Sequence, residues 1–215
     1  MASLSGDETM LAAFRNGRDI HTETAARVFK VDPDAVTPEQ RSRCKAINFG
    51  IIYGMSTFGL AQRLGISRTE ASSFIDEYFR QYPGVRAYMD KAVADARAKG
   101  YAETVLHRRR GLRDIASRNA TLRQAAERNA INSPVQGSAA DLVKIAMVRV
   151  SRALAARGLK AKLVLQIHDE LLLDVPRDEE ATVRELVGDA MRGALDFGVP
   201  LVVEIGSGRT WLDAH

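Results

Sequence analysis

Hydrophobic residues keep a helical spacing through roughly the first 160 residues and then switch to alternation, and this change of period limits the folds open to the chain. Helix-start signals recur in the first part. Thr37-Pro38-Glu39-Gln40 sets Thr at the N-cap, Pro at the first helical position and Gln at the third, the pattern of a capping box. Ser67-Arg68-Thr69-Glu70 repeats the logic. Ser133-Pro134-Val135-Gln136 predicts a further helix start, with Leu142, Ile145, Ala146 and Val150 on its apolar stripe and Gly158 as its stop. From Lys162 the period is two: Leu163, Leu165 and Ile167 alternate with Lys162, Val164 and Gln166, and Glu170 to Val175 alternates again after His168-Asp169. This predicts a hairpin with a two-residue turn, ended by Pro176. A helix from about Asp178 to Leu195 and one more strand over Leu201 to Ile205 complete the order. Helices followed by a hairpin, a helix and a strand make an α+β architecture with a small antiparallel sheet. The Arg-rich stretch around residues 105 to 125 interrupts the apolar rhythm and marks the expected boundary between a helical lobe and a sheet-bearing lobe.

Composition narrows the chemistry. The single cysteine, Cys44, permits no internal disulfide and no cysteine-based zinc site, so a metal would be held by oxygen ligands or His, which favours Mg²⁺. Net charge is only +4, yet the basic residues are 24 Arg against 7 Lys, and Arg is the better fork for phosphate. Seven Arg and three acids fall between Tyr101 and Ala130, either a solvated helical face or a local phosphate site. No apolar run approaches the ~18 residues of a membrane-spanning helix. Asp7 and Glu8 also sit where a secretion signal needs apolar bulk, so a cytoplasmic chain with no membrane partner is expected.

One helix face carries candidate chemistry. In the helix opening at Pro38, Arg41, Lys45, Phe49 and Tyr53 recur every fourth residue, and at ~100° per residue they share a sector of about 120°. Cys44, Ile47 and Ile51 fall on the opposite side. Two cations followed by two aromatics extend over roughly 18 Å of helix axis, close to the length of a nucleoside triphosphate and the base pair it joins. Arg can fork onto phosphate, Lys adds a compact charge, and a ring offers a flat apolar surface to sugar or base. An ordinary amphipathic helix whose aromatics pack on a neighbour has the same spacing.

The literal string Arg41-Ser42-Arg43-Cys44-Lys45-Ala46-Ile47-Asn48-Phe49-Gly50-Ile51-Ile52-Tyr53-Gly54 resembles the Arg-x3-Lys-x3-Phe-x3-Tyr-Gly signature of family A DNA polymerases. Gln166-Ile167-His168-Asp169-Glu170 is similar to the His-Asp-Glu motif that this family carries on a hairpin of its palm. Glu127 to Gly137 resembles the segment whose Arg, Asn and Gln contact primer and template, and Asp19-Ile20-His21 resembles the segment whose His lies near the triphosphate. Gly137 to Leu142 and Trp211-Leu212 follow the family pattern as well, so the resemblance runs from end to end. Each site also has a plain reading: Asp169 suits a tight turn, Gln136 would complete a capping box, and His21 would be a structural surface residue.

The resemblance implies a template-directed DNA polymerase of replication and repair, transferring deoxynucleotides by a two-metal mechanism. Residues 1–120 correspond to the helical fingers and residues 121–215 to the C-terminal part of the palm. Arg41, Lys45 and His21 would hold the triphosphate, Lys45 also as a catalytic residue, while Phe49 and Tyr53 flank the sugar and the nascent pair. Arg128, Asn132, Gln136 and His168 would contact DNA. Such contacts suit the minor groove, whose acceptors are nearly the same for every base pair. Asp169 would be a catalytic metal ligand for the Mg²⁺ pair, with Glu170 supporting. Primer-template DNA and dNTPs are the implied partners. The family's second metal-binding Asp belongs to an Asp-Tyr-Ser-x-Ile-Glu-x-Arg motif just upstream of a Ser-Gly-Asp-Glu segment. Here Ser5-Gly6-Asp7-Glu8 is present without that motif, and Asp7 and Glu8 are not substitutes for it. The expectation is therefore a polymerase fragment that needs the N-terminal remainder of its domain; the alternative is a nucleic-acid-binding fragment without catalysis.

Overall fold

The computed structural model describes residues 1–214. Helices α1 (Ala2–Ser5), α2 (Glu8–Arg15), α3 (Ile20–Phe29), α4 (Pro38–Ile52), α5 (Thr57–Leu64), α6 (Arg68–Gln81) and α7 (Pro83–Lys99) lead to a hairpin of β1 (Tyr101–Glu103) and β2 (Arg109–Gly111). Helix α8 (Ala120–Ala156) follows, then the hairpin of β3 (Lys162–Ile167) and β4 (Glu170–Asp174), helix α9 (Glu180–Arg192) and a last turn, α10 (Trp211–Ala214). The fold is α+β with two separate two-stranded antiparallel sheets. It packs as two units, Met1–Gly137 and Ser138–His215.

Local chemistry explains most starts and stops in the first unit. Thr37 Oγ1 accepts from Gln40 N at 3.2 Å while Gln40 Oε1 accepts from Thr37 N at 2.9 Å, the expected capping box of α4. Ser67 caps α6 by accepting from Glu70 N at 3.1 Å. Asp7 caps α2 by accepting from Met10 N and, with its other oxygen, takes the Gly84 N–H of α7 at 2.9 Å. It is buried, so this carboxylate fastens two helices together. Cys44 and Ile47 are fully buried and Ile51 nearly so, whereas Phe49 and Tyr53 keep about 40% of their surface (40% and 43%), which separates the two faces of α4 as the spacing predicts. Tyr78 and Tyr82 pack against each other at 5.0 Å in the same interior.

The sequence expectation of a helix start at Ser133-Pro134 is overturned, because α8 runs unbroken from Ala120 to Ala156 with Pro134 inside it. Pro134 has no N–H to give the Ala130 carbonyl, a defect that normally breaks a helix. Tertiary bonds hold the turn instead: Tyr88 donates its hydroxyl to the Ile131 carbonyl at 3.0 Å, and Ser133 Oγ accepts from Arg110 at 3.2 Å rather than capping. Gln136 consequently caps nothing and lies exposed in mid-helix.

In the second unit Val150, Leu154, Val183, Leu186 and Val187 form the core between α8 and α9, with Leu171 and Leu173 of β4 against it. The β3–β4 hairpin has the expected two-residue turn, but a bulge between Leu163 and Leu165 breaks the expected alternation and leaves Val164 and Leu165 exposed. The strand expected over Leu201 to Ile205 does not form. A strand needs a ladder partner for its backbone, and here the Ile205 carbonyl accepts from Arg184 of α9 at 2.6 Å while Ser207 is held by Arg184 and Glu180.

The two faces of α4 predict opposite responses to truncation. Ile47→Ala should cost about 2–5 kcal/mol in urea unfolding, as for a large core aliphatic. Phe49→Ala, on the exposed face, should cost about 1 kcal/mol or less.

Candidate nucleotide and nucleic-acid site

In the first unit the exposed face of α4 is organised from below by α3. Asp19 is the N-cap of α3, accepting from Thr22 N at 2.7 Å, and the same carboxylate receives Arg41 of α4 through Nε at 3.2 Å and Nη2 at 2.7 Å. A bidentate fork fixes the guanidinium in plane as well as in place. The Arg41 hydrogen bond holds the Asp19 carboxyl well below the usual carboxylate range, and Asp19 in turn raises the Arg41 pKa. The Nη1 end of the guanidinium is left for a further acceptor.

His21, one turn into α3, is half-buried. Its Nδ1 lies 2.9 Å from Asn48 Nδ2, and its ring is 5.7 Å from Phe49, which stacks on Tyr53 at 6.1 Å with 9° between the planes. Burial pushes the His21 pKa down, Asp19 opposes this, and Arg41 and Lys45 add to it. Lys45 is exposed on the same face, with no ion-pair partner among the described residues. One surface therefore presents, in order along α4, a fixed guanidinium, a free ammonium and two stacked rings, with an imidazole beside them.

The end of α4 meets the first half of α8. Gly54, at φ +70°, is approached so closely by the Arg128 side chain that a β-carbon there would lie 2.9 Å from Arg128 Cγ. Asn132 Nδ2 lies 3.4 Å from the Tyr53 carbonyl. Arg128 and Asn132, predicted from a separate motif, thus sit directly beside the Tyr53-Gly54 end of the first one. Arg128 is exposed, and so is Gln136 two turns further on.

In the second unit His168 and Asp169 form the turn between β3 and β4, both exposed. His168 adopts φ +53°, as the first central residue of a two-residue hairpin must, and Gln166 Nε2 donates to its carbonyl. Glu170 is exposed and opens β4, paired in register with Ile167. Carboxylates are the right donors for Mg²⁺, but among the described residues no group of three or more His, Cys, Asp or Glu converges on one point. Asp169 and Glu170 are adjacent exposed carboxylates, and they alone do not make a metal site. No helix among the described residues is long and apolar enough to cross a membrane.

These observations coincide with what the chain resembles as a whole. The model of DNA polymerase family A matches residues 1–213. The chain belongs to DNA polymerase family A. DNA polymerase I of Streptococcus pneumoniae is 51% identical over all 215 residues, which cover 24% of that protein. DNA polymerase I of Bacillus subtilis is 48% identical over 214 residues, again 24% of its length. The chain thus spans about a quarter of the curated relatives it matches. Among solved structures, the POL domain of Pol1 from M. smegmatis in complex with DNA primer-template and dNTP has a TM-score of 0.95 and 46% identity, covering 99% of this chain and 38% of that one.

Within this family A chain, Asp19, Asn48 and Gly54 organise the α4 face although no motif assigns them a role. The signals were a polar Asn48 inside the apolar stripe of Cys44, Ile47 and Ile51, and Asp19 three residues before Thr22 at a helix start. A group with a lowered folded pKa contributes stability above its ordinary value, near ~4 for Asp, and loses it as pH falls through the lowered value. Asp19 should therefore remain ionised and bound to Arg41 at about pH 3, followed by carboxyl-carbon NMR of Asp19; a midpoint near ~4 would contradict the pairing.

Proposed function

We propose that this chain is the nucleotide-binding and metal-contributing part of a template-directed DNA polymerase, a cytoplasmic enzyme of DNA replication and repair. The observation that carries the reading is the convergence in one unit of His21, Arg41, Lys45, Phe49 and Tyr53 with Arg128 and Asn132. Residues 1–120 act as fingers and residues 121–215 as the C-terminal part of the palm. Arg41, Lys45 and His21 bind the triphosphate of a dNTP. Arg41 is already oriented by Asp19 and binds without reorganising; Lys45, unpaired, neutralises charge that grows on the phosphates as the bond to the leaving pyrophosphate breaks. Phe49 and Tyr53 take the sugar and the nascent pair on their flat faces, while Arg128, Asn132, Gln136 and His168 contact primer-template DNA. Asp169, with Glu170 supporting, would hold Mg²⁺, which would supply charge neutralisation on the phosphates. These two carboxylates would need further ligands from the nucleotide and from the larger polymerase domain.

The partial donor set at Asp169 and Glu170 favours a second reading for this chain alone: it binds DNA and nucleotide but does not join them. Single-nucleotide primer extension with the purified chain and Mg²⁺ separates the two. Extension that Asp169→Ala abolishes supports the catalytic reading, with dideoxynucleotides accepted poorly because Phe rather than Tyr stands at position 49. Primer-template binding without extension supports the second reading. Extension with equal use of dNTPs and ddNTPs contradicts the role given to Phe49, and absence of DNA binding contradicts both.

A further inference from the structure

Helix α8 carries Arg128, Asn132 and Gln136 four residues apart, and Pro134 falls between the second and the third. Proline has no N–H for the Ala130 carbonyl, so this turn lacks a bond that would otherwise fix the direction of the helix. A bend of about 20°, the scale of a proline kink, moves a side-chain tip ~6 Å from the axis by about 2 Å. That is more than a hydrogen bond tolerates. Where Gln136 points relative to Arg128 therefore depends on how the turn is held. Three neighbours among the described residues hold it from outside the stripe. Tyr88 of α7 donates its hydroxyl to the Ile131 carbonyl at 3.0 Å. Arg110 of β2 donates through Nη1 to the buried Ser133 at 3.2 Å. Thr104, just after β1, lies so close to Gly137 that a β-carbon there would be 2.5 Å from Thr104 Cγ2.

Gly137 has no local reason to be glycine. It lies inside α8 without a left-handed backbone, where alanine is the better helix former, and the close approach of Thr104 accounts for it. Thr104 is fixed in turn by its own hairpin: Oγ1 accepts from Leu106 N at 3.3 Å and Arg108 N at 3.2 Å, and its N–H donates to the Arg108 carbonyl at 2.9 Å. We propose that Tyr88, Arg110 and Thr104 form a brace that sets the course of α8 through Pro134, and that they are positioning residues which aim Gln136 at the minor groove of primer-template DNA. Gln136 offers an amide donor, and the N3 and O2 acceptors of the minor groove can take one from any base pair. The proposal rests on the DNA reading above for its ligand and on the packing around Pro134 for the brace.

The test uses two primer-templates, one natural and one with 3-deazapurines in the base pairs nearest the primer end, where C–H replaces the N3 acceptor. Fluorescence anisotropy gives the affinity of the full chain for each. Gln136→Ala should weaken binding of the natural duplex about three- to tenfold and leave the 3-deaza duplex unaffected. Tyr88→Phe and Gly137→Ala should show the same selective loss. Adding Thr104→Ser to Gly137→Ala removes Cγ2 but keeps the hydroxyl, and should restore binding of the natural duplex. Protection of the buried Cys44 thiol from reagent reports that a variant is folded. Tyr88→Phe removes a single hydroxyl and carries the test if Gly137→Ala does not fold. A purely structural defect would weaken both duplexes alike. Brace variants that lose nothing, or lose equally on both duplexes while Gln136→Ala is selective, overturn the brace, as does a folded Gly137→Ala chain that Thr104→Ser fails to rescue. A Gln136→Ala loss equal on both duplexes overturns the minor-groove role of Gln136, and absence of DNA binding overturns the DNA reading itself; the proposal falls with either.

Discussion

The contact between α3 and α4 is the one on which the candidate nucleotide site depends. Burying Thr24, Asn48 and Tyr82 together would be costly if any of them lacked a partner, since an unsatisfied buried polar group costs about 1–3 kcal/mol. Asn48 of α4 reaches Thr24 of α3 only when the two helices sit in a single register, and Tyr82 Oη meets the same hydroxyl. Apolar packing around Cys44 and Ile47 alone would tolerate sliding; the polar group does not. Once the register is set, Asp19 lies under Arg41 and His21 lies beside Phe49. A surface of charge and rings on one helix is thereby turned into a site with fixed directions.

A second constraint operates where α4 ends. The left-handed turn at Gly54 removes a side chain at the point where Arg128 passes, so two motifs more than 70 residues apart in sequence come into contact. Keeping α8 continuous through Pro134 has a similar logic, because Tyr88 and Arg110 bond its backbone and Ser133 from neighbouring elements. In both places a residue that looks like local punctuation is overruled or exploited by tertiary contacts.

Elements governed by local rules were legible in the sequence. The Thr37–Gln40 box, the two faces of α4 and the two-residue turn at His168-Asp169 all follow from spacing and residue type. What failed had a non-local cause. Ser133-Pro134 carries every mark of a helix start, yet bonds from α7 and β2 hold the helix through it. Leu201 to Ile205 has strand composition but finds no ladder partner among the described residues, and its Ile205 carbonyl accepts from Arg184 instead. The candidate site residues are named by contiguous motifs, whereas the supports beneath them are not, since only the fold shows what Asn48 and Asp19 touch.

The central claim is that the α4 face, pre-set by α3, receives the triphosphate of a dNTP. Residue-by-residue NMR shift mapping of the labelled chain during titration with a dNTP tests it most directly. The account predicts that the largest changes fall on His21, Arg41, Lys45, Phe49 and Tyr53, and that they are lost in Arg41→Ala. Changes centred elsewhere, for example on the polar cleft of Arg18, Glu23 and Arg27 between α2 and α3, would contradict it.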